Sequence, residues 1–192
     1  MKKILIGTHN KGKYKEIAFL LSKRIVKISP QALKITSPKE TGKTFKENAE
    51  LKVNFFSKSS GLPVISDDSG LSINFFNGKP GINSARWAKR YGGFQNAMKI
   101  ILKKMSKVKK RTAVFTCCLS CKLPGKKIIT VTGKIKGKIS ERIIGSKGFG
   151  YDPIFIPQSK NITFGQMSWK KKIKIDHRFI AFKKLKKKIK TL

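Results

Sequence analysis

The sequence predicts an α/β protein built as one domain around a mixed β-sheet flanked by helices. Three observations carry this. Strand-like and helix-like segments alternate through the first half of the chain. A β-hairpin signal follows in the second half. No internal repeat and no linker interrupts the 192 residues. Hydrophobic residues make up 39% of the chain, enough for a real core and too many for a disordered protein.

Lys2 to Gly7 reads as the first strand. Lys11 to Ser22 follows as a helix, because Tyr14, Ile17, Ala18 and Leu21 recur at helical spacing. Arg24 to Ile28 reads as a short strand, and Ser29 to Lys43, with two prolines, as a loop. Thr44-Phe-Lys-Glu47 is a capping-box pattern and opens a helix to about Ser59. Leu62 to Ser66 and Leu71 to Phe75 read as two strands separated by Asp67-Asp-Ser-Gly70. Asn77-Gly78 and Pro80-Gly81 mark turns. Asn83 to Arg90 and Phe94 to Met105 read as helices. Thr112 to Lys122 and Lys127 to Ile135 are two long β segments joined at Leu123-Pro-Gly125. Ile139 to Pro157 is glycine-rich and reads as loop. Asp176 to Lys190 is the last helix, its lysines forming a solvated face. The chain, 1–192, reads as one domain, a layout that leaves room for two lobes around a cleft.

The longest apolar runs fall far short of the roughly 20 residues of a membrane span, so a soluble, cytoplasmic protein is expected. Cys117, Cys118 and Cys121 have no histidine nearby and read as reduced strand cysteines rather than a zinc site. The net charge of +36 raises nucleic-acid binding as an alternative function. The excess is almost all lysine, spread along the chain, in company with isoleucine, asparagine and phenylalanine. That is the signature of AT-rich codons, whereas recognition surfaces favour arginine. No specific nucleic-acid partner is expected, only non-specific attraction of polyanions. Self-repulsion should destabilise the fold, so the melting temperature should rise with added salt or phosphate. A melting temperature indifferent to both would refute this.

Against that background the nine acidic residues stand out: Glu16, Glu40, Glu47, Glu50, Asp67, Asp68, Glu141, Asp152 and Asp176. Asp67-Asp68 are adjacent, and a turn at Ser69-Gly70 would let one carboxylate hold a metal or activate water while the other supports it. Gly7-Thr-His-Asn-Lys-Gly-Lys13 joins a strand to a helix, a place where backbone N–H groups and a helix N-terminus suit phosphate. It nearly matches a P-loop and fails at Tyr14, where a short hydroxyl is needed. A P-loop phosphotransferase therefore stays open as a second alternative. Gly145-Ser-Lys-Gly-Phe-Gly-Tyr-Asp-Pro153 combines glycines with Phe149 and Tyr151, either of which could stack on a base. His177 and Arg178 sit in a first helical turn, against the helix dipole, after a good N-cap in Asp176.

Taken in order, several blocks resemble the inosine/xanthosine triphosphate pyrophosphatases, the non-canonical purine NTP pyrophosphatase or Ham1-like family. They are Thr8-His-Asn-Lys-Gly-Lys13; Glu40-Thr-Gly42 with Thr44-Phe45 and Glu47-Asn-Ala49; Lys52; Asp67-Asp-Ser-Gly-Leu71; Pro80-Gly81 with Ser84-Ala-Arg86; Gly148-Phe-Gly-Tyr-Asp-Pro153; and His177-Arg178. The resemblance implies a long mixed sheet, a cleft between two lobes, a homodimer, and Mg2+-dependent hydrolysis of dITP, ITP and XTP to monophosphate and pyrophosphate. It implies that Thr8, His9, Asn10, Lys11, Gly12 and Lys13 hold the triphosphate. Glu40 and Asp68 would bind Mg2+, Asp68 also serving as base. Lys52 would contact phosphate, and Ser69 would lie beside the substrate. Phe149 would stack near the base in a pocket shaped by Gly150, Tyr151 and Asp152. Lys172 would reach the substrate, and His177 and Arg178 would read the base edge. The chain departs from the family pattern at Asp176, where serine is usual, in the basic run Trp169-Lys-Lys-Lys172, and in its net charge.

Overall fold

The structure, a computed structural model, describes residues 3–190 and 192. Lys2, the expected start of the first strand, lies outside the described residues. The first β-α-β stretch runs β1 (Lys3–Ile6), α1 (Lys11–Leu20) and β2 (Val26–Ile28). The helix α2 (Phe45–Ser60) leads into β3 (Val64–Ile73). Two helices follow, α3 (Ser84–Arg90) and α4 (Phe94–Lys104), and then the hairpin of β4 (Thr112–Lys122) and β5 (Ile129–Ile139). The chain ends with β6 (Phe155–Pro157), α5 (Trp169–Lys172) and α6 (His177–Lys188). The strands form one six-stranded sheet in the order β2-β1-β3-β4-β5-β6. β1 is parallel to β2 and β3, with Leu5 opposite Ile28 and Val64, and β6 is antiparallel to β5, with Phe155 opposite Ile139. The expected mixed α/β sheet is therefore present.

Four sequence expectations need correction. There is no turn at Asp67-Asp-Ser-Gly70: β3 runs unbroken from Val64 to Ile73. Aspartate, serine and glycine are poor strand formers in isolation, and here their backbone is held by tertiary partners described below. The second strand of the hairpin continues to Ile139 rather than stopping at Ile135. The stretch Ile139 to Pro157 is not all loop, because a 3-10 turn at Asp152–Ile154 leads into β6. The short helix α5 was not expected at all, its run of lysines giving no helical periodicity.

The chain forms two compact units. The first comprises the chain up to Asp68, Cys117–Gly133 and the segment from Arg178 onward. Its core is Ile4, Ile6, Ile17, Ile65, Cys117, Leu119, Ala181 and Leu185, with a smaller cluster of Leu5, Val53, Phe56 and Val64 beneath α2. α6 buries Arg178, Ala181, Phe182 and Leu185, while Lys183, Lys184, Lys186, Lys187 and Lys188 face solvent. The lysine run is a solvated helix face. The second unit comprises Ser69–Thr116 and Lys134–His177, around a core of Leu71, Ile73, Met98, Ile101, Phe115, Ile154, Phe155 and Phe164. The three cysteines are buried thiols outside any disulfide, and burial pushes the Cys121 thiol up to about 12, so it is a packing residue rather than a nucleophile. No helix among the described residues is long and apolar enough to cross a membrane.

Candidate active site

In the first unit the chain leaves β1 at Gly7, where a Cβ would run into Ser66 Oγ and the Phe56 ring. The glycine lets β1 pass close to β3 and α2. Thr8 Oγ1 accepts from the Asn10 amide at 3.2 Å, and Asn10 caps α1 by accepting from the Lys13 amide at 2.9 Å. Because α1 starts at Lys11, Gly12 and Lys13 belong to its first turn. Only four residues connect strand to helix, from Gly7 to Asn10, too few to wrap a phosphate as a P-loop does. Tyr14, the residue that breaks the P-loop pattern, donates its hydroxyl to Lys27 O at 3.3 Å and ties α1 to β2. The P-loop alternative loses its structural basis. His9 is exposed and turned onto the following loop, with Nε2 3.0 Å from Ile35 O and Nδ1 2.6 Å from Ser37 Oγ. Lys11 is exposed and Gly12 half-buried.

Because β3 does not turn, Asp67 and Asp68 point to opposite faces of the sheet. Asp67 is fully buried. Its Oδ2 lies 3.0 Å from Arg178 Nη2 and 3.3 Å from Lys13 Nζ, and Arg178 Nη1 pairs with Glu16. Burial alone would raise the Asp67 pKa, but Lys13, Arg178 and Lys52 outweigh it and hold the carboxyl far below the usual carboxylate range. Arg178, expected to read the base edge, lies between the Glu16 and Asp67 carboxylates.

Asp68 faces α2. Its Oδ1 lies 3.4 Å from Lys52 Nζ, and its Oδ2 accepts from Asn48 Nδ2 at 3.3 Å. Lys52 also pairs with Glu40. Asn48 and Lys52 stand one turn apart on α2 and so share a face. Asn48 Oδ1 accepts from the Gly42 amide at 2.8 Å, holding the Glu40-Thr-Gly42 loop. Burial pushes the Asp68 carboxyl up; Lys52 and Lys13 oppose this, while Glu40 and Asp67 add to it. Lys52 would be lowered by burial, yet Asp68, Asp67 and Glu40 together raise it, so it stays an ammonium. No group of three or more His, Cys, Asp or Glu among the described residues could hold a metal alone. The Glu40–Asp68 pair nevertheless fits Mg2+, which takes one or two carboxylates and completes its shell with water and substrate phosphates.

In the second unit Ser69 is half-buried directly after Asp68. The glycine-rich loop is organised by Asp152, whose Oδ2 accepts from the Phe149 amide at 2.9 Å and from Lys172 Nζ at 2.6 Å. Of the three lysines on α5 only Lys172 is buried, and its ammonium lies 4.6 Å from the Phe149 ring centre. This is cation–π geometry. Gly150 adopts a φ of 65°, where a side chain would be strained. Tyr151 is buried, donates to Ser84 O at 3.1 Å and meets the Phe94 ring edge-on. His177 stacks on Phe115, 4.9 Å centre to centre and nearly parallel.

The structure thus brings Lys13, Glu40, Lys52, Asp68 and Arg178 together in one unit, and Phe149, Asp152 and Lys172 in the other. Sequence reasoning missed Glu16 and Asn48. Glu16 was one of nine acids, set beside Ile17 on the apolar side of α1. Asn48 carried a signal as well, four residues before Lys52 on a helix.

The Ham1 family model matches residues 4–188. A dITP/XTP pyrophosphatase of Bacillus licheniformis is 40% identical over 189 residues, 96% of each chain. The structure of the Staphylococcus aureus Ham1 protein superposes with a TM-score of 0.87 at 33% identity, covering 98% of both chains. A HAM1 protein from Coxiella burnetii gives 0.88 at 30% identity over 100% of both. Agreement of this kind along the whole chain, in both sequence and fold, means that the chain belongs to the Ham1 family.

Proposed function

We propose that this chain is a Mg2+-dependent pyrophosphatase that hydrolyses dITP, ITP and XTP to the monophosphate and pyrophosphate, keeping these bases out of DNA and RNA. The observation that carries the reading is the Glu40–Lys52–Asp68 cluster: two carboxylates gathered by one buried ammonium, beside a basic strand-to-helix junction. The substrate class is taken from relatives such as the Bacillus licheniformis dITP/XTP pyrophosphatase. The chain is read as cytoplasmic and homodimeric.

In the reaction, water attacks the α-phosphorus, the α–β phosphoanhydride bond breaks, and pyrophosphate leaves. Asp68 orients the water and takes its proton; a carboxyl raised by burial suits a base better than an ordinary one. Glu40 and Asp68 would hold Mg2+, which would supply positive charge at the phosphate oxygens. Lys52 and Lys13 offset the charge that develops on both sides of the breaking bond. Thr8, His9, Asn10, Lys11 and Gly12 supply the remaining phosphate contacts, and Ser69 lies beside the substrate. Phe149 stacks on the base, with Gly150, Tyr151 and Asp152 shaping its pocket. Lys172 and His177 present donors to the 6-keto group. An adenine amino group would leave such donors unpaired, at about 1–3 kcal/mol per buried group. Arg178 is assigned a positioning role, fixing Asp67 and through it Lys13.

The direct test is pyrophosphate release from dITP, XTP, dGTP and dATP with and without Mg2+. Metal-dependent release from dITP and XTP, well above that from dGTP and dATP, is expected. Equal turnover of all four, or none of any, would refute the substrate assignment.

A further inference from the structure

The Pro80–Arg86 stretch lies within the residues matched by the family model, yet no step of the reaction uses it. It lies wholly in the second unit. After β3 the chain reverses through Asn77 and Gly78, both at positive φ, and returns alongside the strand. Ser72 bridges to Pro80, and the Ile73 amide bonds to Lys79 O at 3.3 Å. Proline has no N–H to continue such a ladder. One pair further along, a side chain takes over: Ser84 Oγ accepts from the Leu71 amide at 2.9 Å and donates to Gly81 O at 2.7 Å. Both capacities of the hydroxyl are used, in surroundings where Leu71 is fully buried and Ser84 is 6% exposed. The Ser84 carbonyl accepts the Tyr151 hydroxyl. Gly70 is packed against the same residue: a Cβ there would stand 2.5 Å from Ser84 Oγ and closer still to Gly81 O. Gly70 therefore serves close packing rather than a turn.

We propose that Ser84 is a positioning residue of this site. It fixes the backbone that carries Ser69 and, through Tyr151, the loop that carries Phe149 and Asp152, so that the two keep one registry. This rests on the pyrophosphatase reading above. A serine that merely stabilised the core would affect melting and nothing else.

The test compares wild type, Ser84→Ala, Tyr151→Phe and the double variant, assayed on dITP and dATP well below their melting temperatures, with amide exchange followed over 69–73 and 149–152. Ser84→Ala should lower kcat on dITP about tenfold, the worth of one buried hydrogen bond, and narrow the dITP-to-dATP ratio of kcat/KM. Tyr151→Phe should narrow the ratio in the same sense. The double variant should fall no further than Ser84→Ala, since coupled residues are not additive. Amides in both segments should exchange faster in Ser84→Ala. Unchanged kcat, KM and ratio, with only the melting temperature lowered, would overturn the proposal. Should Ser84→Ala fail to fold, Tyr151→Phe decides: a ratio and exchange equal to wild type overturn it. If wild type releases no pyrophosphate from any triphosphate, the functional reading fails and exchange alone judges the brace. Faster exchange in both segments sustains it, and unchanged exchange in either rejects it.

Discussion

Asp68→Asn is expected to lower pyrophosphate release from dITP by about a thousandfold, the range over which a positioned general base acts. Asparagine keeps the shape, and its amide can still meet Asn48. It cannot accept the proton of the attacking water, while Lys52 keeps its pairing with Glu40. The fold should not suffer. The Asp68 carboxyl is pushed up by burial, so its native pKa lies above the unfolded one. At neutral pH the native state then pays for keeping that group ionised, and a neutral side chain removes the penalty. The melting temperature of Asp68→Asn should therefore equal or exceed that of wild type, a stability–activity trade-off at a single atom. Activity within tenfold of wild type would remove Asp68 from the chemistry. Lost activity with a collapsed melting temperature would mark it as structural.

The division between what was legible in sequence and what was not follows the range of the interactions. α1, α2, α4 and the β4–β5 hairpin were visible because their causes are local: apolar spacing, a Thr44 cap on the Glu47 amide, a Pro-Gly turn. The break expected in β3 was wrong because what holds that strand is distant. Arg178 reaches Asp67 from 111 residues away, and Asn48 reaches Asp68 from 20. Read locally, Asp-Asp-Ser-Gly is a turn. With each carboxylate paired and Gly70 closely packed against Gly81 and Ser84, it is a strand that sends two acids to two faces. The candidate site was legible as a set of blocks, since their residue types announce phosphate and metal chemistry. Their division of labour was not. The pairing of Arg178 with Glu16, 162 residues apart, raises an internal clamp beside the base reader suggested by the sequence, and variants distinguish the two.

That distinction yields the second large effect. Arg178→Met should destabilise the protein by about 3–5 kcal/mol, the usual consequence of removing one partner from a buried ionic group, and lower the melting temperature by roughly 10 °C for a chain of this size. Arg178 is 0% exposed, as is Asp67, and Glu16 is 1% exposed. Methionine fills much of the volume but leaves two buried carboxylates that have lost their shared guanidinium, with Lys13 still in contact with Asp67. Arg178→Lys should recover less than half the loss, because one ammonium cannot reproduce the separate Nη1 and Nη2 contacts to Glu16 and Asp67. Replacing Glu16 by glutamine as well should recover part of the loss in Arg178→Met, since one of the two buried carboxylate charges that Arg178 faced is then gone. A residue that read the base would behave otherwise: Arg178→Met would melt like wild type, Glu16→Gln would have no effect on it, and the dITP-to-dATP ratio would collapse. If the clamp holds Lys13 in place, turnover on dITP and dATP should fall together in Arg178→Met, their ratio preserved, as Lys13 loses the fixed carboxylate that aims it at phosphate.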